Sequence, residues 1–243
     1  MKSSIKKNTF KAIYRLLDKV SPINGDCGLL CGSICCTYEY ENTDDSSISD
    51  AAYAAPDCCG DTDREYQETH DTRSVSSSAD GDDDFSLGIY LLPGEEKLFS
   101  GDEEWLGWSW AYAEDYEFPD SWHGKVYFLR CLNAPHCDRA MRPLQCRTFP
   151  LAPHLDKNGE LCMIYQNGQL PYTCPLITDK AALNDDFVKA TCTVWKRLIE
   201  DPLIYDLVEM DSDCRIEDGE AIEVVCRQSR PKQTGMPDLQ PAL

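Results

Sequence analysis

The amino-acid sequence predicts an α+β fold, a small and irregular domain of short strands and several helices. Three observations predict it. Helical periodicity appears near both ends, at residues 5–20 and again from Asp185. Between them lie apolar runs of only five to seven residues, cut by Pro and Gly, such as Leu87–Pro93 and Lys125–Cys131. The third is an excess of cysteine, 14 in 243 residues, gathered in clusters. Small buried thiols need no clustering to pack.

In residues 5–20, Ile5, Phe10, Ile13, Leu16, Leu17 and Val20 form an apolar stripe, with Lys6, Lys7, Lys11, Arg15 and Lys19 around it. A helix that covers the core explains the stripe, and a basic arm for a membrane or partner is the sharper alternative. Ser21-Pro22 and Asn24-Gly25 stop this helix, so that 1–22 reads as one N-terminal segment. Cys27-Gly-Leu-Leu-Cys31-Gly-Ser-Ile-Cys35-Cys36 follows, four thiols in ten residues. Gaps of three residues suit thiolate ligation of zinc, and convergent thiolates also suit iron or an iron–sulfur cluster. Glycine after Cys27 and Cys31 lets the backbone turn around an ion. Adjacent Cys35 and Cys36 cannot both reach one ion easily, so one thiol ligates while the other serves a second ion or stays free. Such ligation would staple the domain.

Residues 39–84 carry fifteen Asp or Glu against Arg64 and Arg73, with serine runs and Asp82-Asp83-Asp84. Too few apolar residues are present to offset ordering entropy, so an insertion without stable structure is expected, with Cys58 and Cys59 incidental to the main site. Order returns near Phe85. Glu95–Phe99 reads as a helical turn, and the aromatics Trp105 to Trp122 are expected to pack around the metal core. Lys125–Cys131 reads as a strand leading to a thiol.

Residues 131–150 hold the most specific pattern: Cys131, Cys137, Arg142-Pro143, Cys146-Arg147 and Phe149-Pro150. Cys174-Pro175-Leu176 adds a later thiol. Four thiolates around a divalent ion leave about two negative charges, which Arg142 and Arg147 would offset and hydrogen-bond. The metal candidates are therefore Cys27, Cys31, Cys35, Cys36, Cys131, Cys137, Cys146 and Cys174. His136 and His154 flank this region as weaker candidates, and Cys162 reads as a core strand residue.

The Cys31-x-x-x-Cys35-Cys36 cluster, followed by Cys137-x4-Arg142-Pro143-x2-Cys146-Arg147-x-Phe149-Pro150, resembles the YkgJ-like cysteine-cluster family. The resemblance covers roughly 23–36 and 85–178. It implies a zinc- or iron-chelating domain, 23–178, interrupted by the acidic insertion. Some members of that family carry the cluster beside a methyl-transferring domain.

Asp185-Asp186 opens a helix with Phe187, Ala190, Val194, Trp195, Leu198 and Ile199 on one face, and Asp201-Pro202 separates it from a second, 203–210. Residues 179–226 are thus expected to be helical, with Cys192, Cys214 and Cys226 structural, and 227–243 a loose tail.

A net charge of −20 argues against nucleic-acid and anionic-membrane partners. No run of eighteen apolar residues would span a membrane, and no signal-type segment is read in residues 1–20, so a cytoplasmic protein is expected. There, clustered cysteines more often hold metal than disulfides. The expectation is a metal-binding protein with a zinc or iron partner and no assigned reaction. The alternatives are an enzyme using an iron–sulfur cluster for redox or group transfer, and a thiol-based redox sensor. No glycine-rich nucleotide loop is found.

Overall fold

The computed structural model describes residues 2–37, 88–133, 142–168, 170 and 172–227. The acidic stretch 39–84 with Cys58 and Cys59, the His136-Cys137 pair, and the tail beyond Arg227 lie outside the described residues.

The α+β expectation holds. Helices α1 (Lys7–Leu17), α2 (Gly28–Cys31) and α3 (Ile34–Thr37) come first, then strands β1 (Ile89–Tyr90), β2 (Leu106–Tyr112) and β3 (Lys125–Cys131). These strands form one antiparallel sheet in the order β1-β3-β2. Helix α4 (Leu144–Thr148) leads into β4 (Leu151–Leu155) and β5 (Leu161–Tyr165). After α5 (Pro175–Thr178), α6 (Asp185–Leu198) and α7 (Pro202–Glu217), β6 (Val224–Arg227) returns to complete a second sheet, β4-β5-β6.

Helix α1 buries Phe10, Ile13 and Leu17, three or four residues apart, so one stripe faces the core, while Leu16 stays exposed. That stripe meets Phe128 of β3, Leu144 of α4, Phe187, Val194 and Leu198 of α6, and Ile204 of α7 in one apolar cluster. Each such large side chain contributes about 1.5–3 kcal/mol when buried.

The aromatic segment departs from expectation. Phe118 and Trp122 stack with centroids 4.9 Å apart inside this main core, and Trp122 Nε1 donates to the Leu203 carbonyl at 2.9 Å. Trp105 and Trp108 join Tyr127 over a second small core of Leu91, Leu106 and Leu129. These rings build the faces of the first sheet and do not enclose the thiols. Alternation along β2 and β3 sets where Trp108 and Tyr127 point, whereas Phe118 and Trp122 lie between those strands and enter the main core.

Two further corrections concern the C-terminal part. Helix α7 extends to Glu217 because its second half buries polar residues with backbone tasks. Ser212 Oγ accepts from Leu155 N at 2.9 Å, and Arg215 donates to the Pro153 carbonyl at 3.3 Å, so both serve the outer edge of β4. Asp201 caps the helix, accepting from Leu203 N at 3.0 Å. Residues 224–227 form a strand where a helical segment to 226 and a tail from 227 are expected, and a Cys192–Cys226 disulfide clips that strand to α6.

Candidate metal centre

The first thiol cluster is built by two very short helices that reverse on each other. Asp26 Oδ1 accepts from Gly28 N at 2.9 Å and starts α2. Gly32 closes it at φ 67°, and Ser33 follows at φ 59°, a left-handed pair that lets α3 fold back. Ser33 N donates to the Gly28 carbonyl at 2.9 Å, and a Cβ on Gly28 would lie 2.3 Å from Ser33 Oγ. Glycine at 28 and 32 therefore turns the chain, as the sequence predicts.

The second cluster stands on a buried polar frame. Glu95 is completely buried, and its carboxylate accepts from Leu144 N at 2.8 Å, from Leu92 N at 3.0 Å and from the Tyr14 hydroxyl. Arg147, equally buried, pairs with Asp18, donates to the Arg142 carbonyl at 2.5 Å and lies 4.0 Å over the Tyr14 ring. Burial pushes the Glu95 carboxyl up, and the Tyr14, Leu144 and Leu92 hydrogen bonds pull it back. This frame fixes the Arg142–Thr148 segment against α1 and the first sheet. Arg147 thus serves Asp18 and Tyr14, a role its proximity to Cys146 in sequence does not reveal.

The two halves meet at a cavity of about 30 Å³, lined by Cys27, Cys31, Cys35 and Cys174 together with Leu30, Ile34, Phe149 and Leu176. All four cysteines are free thiols. Their electrostatics show the proximity. Burial raises Cys27, the Arg142 cation opposes this, and the charges of Asp26, Cys174 and Cys31 add to it. Burial also raises Cys174, with Cys31 adding to it. Cys35 Sγ lies 3.8 Å from Cys36 Sγ. That contact raises Cys35 and lowers Cys36 to about 6, with the Arg142 cation helping to lower Cys36.

The other candidates divide. Cys146 on α4 acts on both Cys35 and Tyr14, so it stands close to the cluster without lining the cavity. Cys36 likewise lies beside the cavity. Cys131 ends β3 opposite Leu106, and none of the leading influences on Cys27, Cys35, Cys36 or Cys174 comes from it. Cys137 and His136 lie outside the described residues. His154 is buried on β4 opposite Cys162, and Cys162 Sγ donates to its carbonyl at 3.4 Å, so both belong to the second sheet. Among the described residues no three His, Cys, Asp or Glu side chains stand at metal-holding distances.

Sequence reasoning missed the Tyr14–Glu95–Arg147–Asp18 frame and the Cys192–Cys226 bond. Glu95 sits in an acidic turn like many others in this chain, and no pattern marks it. The disulfide partners are 34 residues apart with no shared motif.

No family model, no curated protein and no solved structure matches the chain. Among the described residues no helix is long and apolar enough to cross a membrane.

Proposed function

We propose that the chain is a metal-binding protein that holds a zinc or iron ion through thiolates of Cys27, Cys31, Cys35 and Cys174. Cys36 and Cys146 stand next to that set, Arg142 offsets its charge, and a kinship with the YkgJ-like family is part of the same reading. One observation carries it: four free thiols, one of them far along the chain from the others, line a single small cavity.

The donor chemistry suits a soft or borderline ion, and the four side chains would draw together around it, since among the described residues no three stand at metal-holding distances. Thiolates crowded together raise one another's proton affinity, and a cation among them relieves that repulsion. When bound, the ion supplies folding energy by joining α2 and α3 to the rest of the domain.

A second reading rests on the 3.8 Å approach of Cys35 and Cys36. Two-electron oxidation by a peroxide would join the two sulfurs with loss of two protons and empty one ligand position, which is oxidation sensing.

Anaerobic purification without a metal-affinity tag, with elemental analysis and a visible spectrum on the same sample, tests the proposal. Zinc or iron near one per chain is the expected result. Iron with acid-labile sulfide would replace the single ion by a cluster. Neither metal, with paired cysteines by mass, would overturn metal binding.

A further inference from the structure

Residues 1–19 carry six of the chain's 23 Lys and Arg but one of its 43 Asp and Glu. Within them Lys7, Lys11, Arg15 and Lys19 recur every four residues, along α1 and into the turn that follows it, and all four are exposed. Four residues of helix rise about 6 Å, so the cations form a single ridge. Asp18, the one acid in residues 1–19, is engaged by Arg147, and among the described residues none of the four cations makes an ion pair. Like charges at this spacing destabilise a helix by about 0.2–0.5 kcal/mol per pair, so folding alone does not account for the ridge.

The apolar face of α1 is spent on the core, since Phe10 and Leu17 are fully buried. Of its large apolar side chains the helix leaves only Leu16 exposed, too little to anchor it in a lipid surface. Residues 20–243 carry a net −25, the chain's −20 less the +5 of residues 1–19, which repels any external polyanion that approaches the ridge. The acidic stretch 39–84 supplies −13 of that −25 itself, and its place on the same chain offsets the repulsion from the remaining −12. Tethered at both ends, it is present at an effective concentration on the order of millimolar.

The acidic stretch meets these requirements. In an extended chain, alternate residues recur about every 6.6 Å, close to the ridge spacing. Asp61, Asp63 and Glu65 alternate in this way, as do Asp80, Asp82 and Asp84. The described chain resumes at Gly88, six residues before Gly94, whose position abuts Ser3 and Phe10 at the start of α1. Six residues reach at most about 21 Å.

We propose that the cationic ridge of α1 is an intramolecular docking surface for the chain's own acidic stretch, residues 39–84. This is independent of the metal reading. The test is zero-length carbodiimide coupling on the full chain, read by mass spectrometry, with labelled and unlabelled chains mixed to separate links within a chain from links between chains. Expected are links within one chain from Lys7, Lys11 or Lys19 to carboxylates in 39–84. Their yield should fall about tenfold from ~20 mM to ~1 M salt, as the screening length drops to about 3 Å. The Lys7→Glu, Lys11→Glu, Arg15→Glu variant should lose these links and be cleaved severalfold faster by trypsin after Arg64 and Arg73. Links only between chains would overturn the proposal, as would yields indifferent to salt in the unaltered protein. Tight binding of the unaltered chain to anionic vesicles or to a single-stranded oligonucleotide at about 0.15 M salt would also overturn it, because the ridge would then be open to external polyanions.

Discussion

The two thiol-bearing halves of the candidate centre are built in opposite ways. Helices α2 and α3 span four residues each, α2 buries none of them, and Leu29 and Leu30 point largely into solvent. Backbone hydrogen bonds and left-handed turns hold them. Helix α4 is hardly longer, yet it buries Leu144, Arg147 and Thr148 and is anchored by Glu95 and Asp18. One half is a platform that exists without a ligand. The other is a clip with little of its own to order it, and ligation is what would complete it.

The largest test of this contrast removes the platform's anchor. Glu95→Ala leaves Leu144 N, Leu92 N and the Tyr14 hydroxyl without their acceptor and Arg147 with less counter-charge. A loss of about 3–5 kcal/mol in chemical denaturation is expected. Cys27→Ser in the metal-free protein should cost less than about 0.5 kcal/mol, as surface changes do. Equal costs would abolish the distinction between platform and clip.

Next in size is the Cys192–Cys226 bond, which belongs to the platform side through α6 and the second sheet. It closes a loop of 34 residues, and on the chain-entropy account its removal costs about 3–4 kcal/mol. The Cys192→Ala, Cys226→Ala variant should lose that much stability and still bind metal with unchanged stoichiometry. Loss of metal binding along with the disulfide would tie the two halves together more closely than the contrast allows.

Metal addition probes the other side. At a free zinc concentration about a hundredfold above Kd, binding adds about 2.7 kcal/mol. Hydrogen exchange should slow across residues 27–36 and stay nearly constant across 142–148. Protection gained equally in both would mean that α4, too, is organised by the ion.

The same contrast explains what the sequence discloses. The clip is legible because its thiols and glycines must lie close together in the chain, and spacing is what a reader of sequence can see. The periodic stripes of α1 and α6 are legible for the same reason, each being a local pattern on a regular element. The frame is not legible: Tyr14, Glu95 and Arg147 meet only through tertiary packing, Tyr14 and Glu95 carry no pattern beforehand, and Arg147 reads as a partner of the thiolates. Helix α7 hides its own length, since Asp211, Ser212 and Arg215 are buried where periodicity would place apolar residues. Cys131 stands apart from this group. Its place at the start of the 131–150 pattern makes it a ligand candidate, and the β2–β3 pairing sets it opposite Leu106 at a sheet end.

The smallest effect is one of reactivity and not of stability. Cys36 is held at about 6 by the Cys35 contact and the Arg142 cation, whereas burial raises Cys162 inside the second sheet. The thiolate is the reactive form, so in metal-free protein iodoacetamide should modify Cys36 first, with a rate that climbs through about pH 6 and levels off above it. Below that pH the thiol is protonated and the rate falls. Arg142→Gln should move the midpoint upward, because a cation that favours the thiolate is gone, while Cys162 stays unmodified in both proteins until they unfold. A Cys36 midpoint near the ordinary thiol range, unchanged by Arg142→Gln, would show that Arg142 does not reach the clip and that the platform lends the centre no charge.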